Sequence, residues 1–362
     1  MGYSMVIIRA AILCWFCTSI AFANAADLPS KLKALTQHHF EDGHSPGLSV
    51  AVIQNGRTLL MEGMGSADIE NDVPATTKTV YRIGSLTKQF TAAAIMKLAN
   101  ENKLKLDDVI SKYLSETPKQ WSEVTVRNLL NHTSGIPSYT SMEAFAKQYR
   151  LDLSHEQLLD MIRHEKVDFK PNEKWAYSNS GYYLLGLVIE SVTKKSYEQY
   201  LTEVFFEPLD MESNFYCDHK KIIKHRASGY EKVEGKWVNA DILSMNSPFA
   251  AGALCSTVED LAKWSMALVG GKVVPLESYR QMITPEKLID GTPLPYGFGL
   301  GVGELLGYKQ VGHGGGINGF ITHHSHYPKR KLHIVVLTNS GSGKPSKLTA
   351  ELAEAALTWN GK

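Results

Sequence analysis

The sequence carries almost no excess charge: 38 lysines and arginines stand against 37 aspartates and glutamates. Nucleic acid and anionic membrane surfaces call for a basic excess, so neither is expected as a partner, and a small uncharged or zwitterionic molecule or a peptide fits better as substrate. Cysteine is scarce, four in 362 residues, too few for a scaffold built on disulfides. Cys14 and Cys17 fall in the leading stretch, which leaves Cys217 and Cys255. These two could form one bridge, but Cys255 sits in the apolar run AAGALC, where a buried free thiol is equally at home, and spacing does not settle the pairing. Beyond the first 25 or so residues no long apolar run occurs, so no downstream membrane anchor is expected. Internal repeats and low-complexity segments are also missing.

What is present begins with a leader. Residues 10–23 form a short apolar run after Arg9, and Ala21-x-Ala23 and Ala23-x-Ala25 offer small-residue cleavage sites, the pattern of an export signal over 1–25. The neighbourhood of Cys14 and Cys17 lacks the small apolar residues of a lipidation site. A periplasmic or secreted protein is therefore expected. The remaining length and a hydrophobic content of 43% suit one large domain or two closely joined ones.

Residues 27–42 read as a helix, and Leu48–Gln54, Asn55-Gly56 and Arg57–Glu62 as a hairpin. Helical texture follows. It covers 86–100, a piece starting at Leu106, a short one at 126–131, then 180–194, 197–206 and 257–268, the last capped by Ser256 or Thr257. Strand texture returns at 296–302, 308–311, 319–327 and 332–338, and 346–359 closes as an amphipathic helix. Strands at both ends around a helical middle predict an α/β (α+β) fold. Residues 26–75 and 285–362 would build one sheet domain and 76–284 a mainly helical insertion.

The chemistry centres on Tyr81-Arg82-Ile83-Gly84-Ser85-Leu86-Thr87-Lys88. Side chains three apart share a helix face, so Lys88 can place its amine beside the Ser85 hydroxyl at a helix N-terminus. A serine needs such a neighbour to become a nucleophile. The same spacing at Ser30/Lys33 and Ser191/Lys194 does not open a buried helix and serves as an internal control. At Ser85 the competing reading is a capping serine and a solvated lysine. In Trp175-Ala176-Tyr177-Ser178-Asn179, a nearby ammonium could drive the Tyr177 phenol toward phenolate, making a base, and Asn179 can both donate to and accept from a substrate. Otherwise Asn179 would simply cap the next helix. In His313-Gly314-Gly315-Gly316, the Gly316 N–H together with that of Ser85 could form an oxyanion hole, unless the glycines serve only a bulge.

Three patterns argue for other functions and are set aside. Gly43-His44-Ser45-Pro46-Gly47 has the Gly-x-Ser-x-Gly spacing but lies between a helix and a strand, the reverse of a nucleophile elbow. Gly314-x-Gly316-x-x-Gly319 has dinucleotide spacing but leads into a strand. His323, His324 and His326 lack a nearby acid or cysteine in sequence and read as solvated strand histidines rather than metal ligands.

Taken in order, Ser85/Lys88, Tyr177/Asn179 and His313/Gly315 resemble the motifs of the serine β-lactamase and penicillin-binding-protein superfamily. The similarity is to its class C branch, with D-alanyl-D-alanine carboxypeptidases, D-aminopeptidases and esterases. PGLSVAVIQNG, VRNLLNHTSGIPSY, AGALCSTVEDLAKW and VVLTNSG extend the resemblance over nearly the whole mature chain. It implies an antiparallel sheet packed by N- and C-terminal helices beside an all-helical domain, with the site in the cleft between them. Ser85 would form an acyl-enzyme, Lys88 would hold the proton network, and Tyr177 would act as base and then acid. Asn179, His313 and Gly315 would bind substrate, and neither metal nor cofactor would be needed. Many relatives place Lys-Thr-Gly where this chain has His313-Gly314-Gly315. The change removes a fixed charge and a hydroxyl and turns the expectation from β-lactamase toward peptidase or esterase. The alternatives are a class C-type β-lactamase, or a penicillin- or cell-wall-binding protein that does not turn over.

Overall fold

The computed structural model describes residues 27–360; the export signal expected over 1–25 lies outside them. A seven-stranded sheet takes its strands from both ends of the chain, in the order Val73–Pro74, Arg57–Asp68, Gly47–Gln54, Leu332–Thr338, Phe320–Tyr327, Tyr308–Ile317, Gly301–Leu305. Every neighbouring pair is antiparallel. Gly47–Gln54 and Leu332–Thr338 meet at the centre, Val50 opposite Val336, and are buried along nearly their whole length. That explains their near-continuous apolar sequence, broken within by Ser49 and His333, since both sheet faces are covered.

On the outer face Leu48, Val50, Val52, Ile334 and Val336 pack with Leu32 of the first helix, Leu28–Glu41, and with Leu348 and Leu352 of the last, Pro345–Leu357. On the inner face Ala51, Ile53, Val335 and Leu337 join the main core, where the helix Val258–Val269 lies against the two central strands. The main core continues into the helical middle through Thr87–Asn100 and Asn179–Thr193. Among the described residues no helix is long and apolar enough to cross a membrane.

Several elements differ from their sequence reading. The piece expected at Leu106 is only a single tight turn, at Ile110–Lys112. The strand expected at 296–302 begins only at Gly301, because the preceding segment is pressed onto the serine helix. Gly299 has φ +71°, and a Cβ there would sit 2.6 Å from the Lys88 carbonyl oxygen. The strand expected at 308–311 instead runs to Ile317 and takes in the glycines. Cys217 and Cys255 are bonded to each other, which resolves the pairing the spacing left open.

The strand histidines are not solvated. His324 and His326 are 2% exposed and His333 6% exposed, beneath the helices Val258–Val269 and Leu276–Met282. Ser265 Oγ stands 2.7 Å from both His324 Nε2 and His333 Nδ1, and Tyr279 OH bonds to His326 Nε2. Lost hydration pushes His324 down to about 3 and His333 to about 4, and His326 lies well below the usual range. Below the unfolded value of about 6.5, the unfolded chain takes up protons that the folded chain refuses. Stability is then full above that value and falls with pH down to the folded values, by roughly 1 kcal/mol per histidine per pH unit. Thermal denaturation at pH 7 and pH 5 is expected to show a clear drop in Tm at the lower pH; equal values would contradict this account.

Candidate active site

Ser85 sits in the tight turn Gly84–Leu86 that leads directly into Thr87–Asn100. The turn is held against the strand Tyr308–Ile317 at very short range. Gly84 has φ +51°, and a Cβ on it would meet the Gly316 nitrogen at 3.0 Å; one on Gly315 would strike the Ile83 carbonyl oxygen at 2.1 Å. Thr322 Oγ1 ties the two elements together by donating to the same Ile83 oxygen at 3.0 Å. Gly84 and Gly315 therefore serve close approach of backbone, the strand pairs through the glycines without a bulge, and Gly316 comes to the cavity that Ser85 lines.

Lys88 has no exposed surface. Its Nζ lies 3.0 Å from Ser85 Oγ, 2.8 Å from Asn179 Oδ1 and 2.7 Å from the Ala251 carbonyl oxygen. Asn179 Nδ2 donates to Thr140 Oγ1 at 3.1 Å, which points its oxygen at the amine. Burial without a carboxylate partner drives the Lys88 pKa well below its usual value. A neutral amine has two N–H groups and one lone pair. In that form, with the two carbonyl oxygens accepting the hydrogens, the lone pair would face the Ser85 hydroxyl.

Asn179 opens Asn179–Thr193, but it is not the cap: Ser178 Oγ accepts from Gly181 N. Tyr177 is 36% exposed, yet its hydroxyl reaches the Ser85 side chain within the cleft. Desolvation there raises the phenol above its ordinary value, and the serine offsets only part of the rise. This reverses the expected direction. The lysine sits 4.9 Å from the ring centroid, and the loss of hydration at the phenol prevails over it.

His313 is engaged from both sides, by the Gly314 carbonyl at Nδ1 and by Tyr296 OH at 2.8 Å from Nε2. Burial lowers it to about 3. It is thus a neutral wall of the cleft that holds Tyr296, and offers no cation to a substrate. The sequence reading gave no role to His132, which is 1% exposed. Its Nδ1 accepts from the Ser178 backbone N–H at 3.2 Å, and its ring lies 4.4 Å from Tyr177 and 4.7 Å from Tyr296. It positions Tyr177 through the chain and through the ring. The sequence signal was available in Asn131-His132-Thr133-Ser134, polar residues that all prove buried. The control pairs are structural. Lys33 pairs with Glu62 at the surface, and Ser191 Oγ donates to the Tyr113 carbonyl.

An antiparallel sheet with helices on both faces, and a serine turn over a buried lysine, define a β-lactamase-like fold. The family model described as Beta-lactamase matches residues 32–358, and the chain belongs to that family. It is 32% identical over 339 residues to the protein flp of Staphylococcus aureus, covering 90% of this chain and 66% of that one. It is 27% identical to a D-aminopeptidase of Gluconobacter oxydans over 86% of this chain and 59% of that enzyme. The chain thus spans about two thirds or less of the length of these curated relatives. Among solved structures, the D-amino acid amidase of Ochrobactrum anthropi SV3, complexed with D-phenylalanine, superposes with a TM-score of 0.80 at 26% identity, covering 91% of this chain and 99% of that one. The octameric penicillin-binding protein homologue of Pyrococcus abyssi gives 0.77 at 32% identity, over 90% and 76%.

Proposed function

We propose that this chain is an exported hydrolase that cleaves an ester or amide through an acyl-enzyme on Ser85. The observation that carries the reading is the buried Lys88 amine within hydrogen-bond distance of the Ser85 hydroxyl and of two carbonyl oxygens; in its neutral form it keeps a lone pair for the hydroxyl. Ser85 Oγ attacks the substrate carbonyl carbon as its proton passes to Lys88. The oxyanion that forms is met by the N–H groups of Ser85 and Gly316. As the tetrahedral intermediate collapses, the Tyr177 phenol gives its proton to the departing oxygen or nitrogen and recovers one from the Lys88 ammonium. Water then cleaves the acyl ester by the same proton path, and Ser85 is restored. Asn179, fixed between Lys88 and Thr140, orients the amine and reaches the substrate. Export is supported by the Cys217–Cys255 bridge, since disulfides persist in oxidising compartments.

Turnover of p-nitrophenyl acetate and of D-phenylalanine amide by the purified protein tests the reading. Multiple turnovers of at least one are expected, and turnover of neither would overturn it. A change at Tyr177 tests the leaving-group step. Nitrophenolate departs without a proton, so Tyr177→Phe is expected to cost tenfold or less on the nitrophenyl ester, but about 10²-fold to 10³-fold on an alkyl ester or amide. Equal losses on both would assign Tyr177 another role.

A further inference from the structure

Two cavities flank the Ser85–Tyr177 pair. The first, of about 380 Å³, is bounded by Ser85 and Gly316 and walled by Phe145, Tyr149, Leu243 and Ile317. The second, of about 390 Å³, lies beyond Tyr177 and is lined by Trp175, Tyr296, His313 and His323 among others. Among the described residues, no aspartate, glutamate, lysine or arginine lines either one. The histidines add no charge at neutral pH, since burial holds His313 to about 3 and His323 to about 4. The acid that touches the lining residue Tyr149 is already committed: Asp241 accepts from Tyr149 OH and from Arg150.

We propose, resting on the hydrolase reading above, that the site selects substrates carrying no formal charge beside the scissile bond. The first cavity would receive an apolar acyl group, with Leu243 in its wall. A free α-ammonium or a terminal carboxylate entering this cleft would lose its hydration and find no counter-ion. The preferred class is neutral esters and N-blocked amides of apolar acids, rather than peptides with a free amino or carboxyl terminus at the cleavage point. Leu243 is 8% exposed, so a charge placed there would be felt by the bound acyl group.

The test compares methyl 3-phenylpropanoate with D-phenylalanine methyl ester, which differs by one ammonium, and with the half methyl ester of phenylsuccinate, which adds one carboxylate. All three are assayed on the full protein at a pH where those groups are charged. The neutral ester is expected to show kcat/KM higher by about tenfold or more than either charged one. Equal rates, or preference for a charged ester, would overturn the proposal while leaving the hydrolase reading intact. Hydrolysis of none of the three, with no acyl adduct on Ser85, would overturn both. Leu243→Asp is expected to swing the ratio toward the ammonium ester by about tenfold, and the neutral Leu243→Asn to leave it near the wild-type value. If both variants fold and neither moves the ratio, the first cavity does not hold the acyl group and the proposal falls.

Discussion

Ser85→Ala is expected to lower turnover by about 10⁵-fold or more, with the fold unchanged. The size follows from the way the site is built. Lys88 and Tyr177 converge on one oxygen, so neither has a reacting atom to act on once that oxygen is gone. Groups that act as a unit lose nearly everything when the nucleophile is removed. The Ser85 side chain makes little other contribution to the structure, because Thr87–Asn100 begins without a side-chain cap and the turn is held by Thr322 and the glycines. A thermal melt matching the wild type is the accompanying control. A folded Ser85→Ala protein with more than about a hundredth of the wild-type rate would contradict the assignment.

The second large effect concerns the lysine. Lys88→Met, similar in length and apolar, is expected to cost about 10³-fold to 10⁴-fold in kcat/KM, because it takes away the base but keeps the nucleophile and the oxyanion donors. The wild-type pH profile should carry the same information. Burial lowers the lysine pKa, so the neutral, active amine predominates at a pH where a solvated lysine would be charged. Activity is then lost as the pH falls through the lowered value and Lys88 takes a proton. The profile should lack a requirement for pH near 10, the ordinary lysine range of about 10.4. A rate that climbs steadily toward that range would mean that the amine is charged at neutral pH and acts otherwise. Lys88→Arg should not rescue, since a guanidinium stays protonated and has no lone pair to offer.

Much of this arrangement could be read from the sequence. The helix-face spacing placed Lys88 beside Ser85, and the return of strand texture after residue 296 foretold a sheet built from both ends. Local pattern also gave the outer helices and the central hairpin. It failed where a segment's conformation is set by what lies against it in space. The stretch 296–300 alternates like a strand but is bent by contact with the serine helix at Gly299. The glycines after Val311 left a bulge open, yet they continue the strand, and at Gly315 the serine turn occupies the space a side chain would fill. His324 and His326 looked like surface residues because nothing in their neighbourhood reveals two helices from elsewhere in the chain covering them. The direction of the Tyr177 shift was misread for a related reason. The sequence shows that a lysine is present but not that the phenol itself loses its hydration in the cleft. The role of the Ala251 carbonyl was invisible, since any residue there presents the same oxygen.

The central claim is that Ser85 becomes acylated during turnover. Intact-mass spectrometry of the protein mixed with a p-nitrophenyl ester, sampled through the first turnovers beside Ser85→Ala, tests it most directly. The account predicts a transient species heavier by one acyl group, mapped by peptide analysis to Ser85, decaying as substrate is exhausted and missing from the variant. Steady release of nitrophenolate with no such species on Ser85 under rapid quenching, or with an equal adduct in Ser85→Ala, would contradict it.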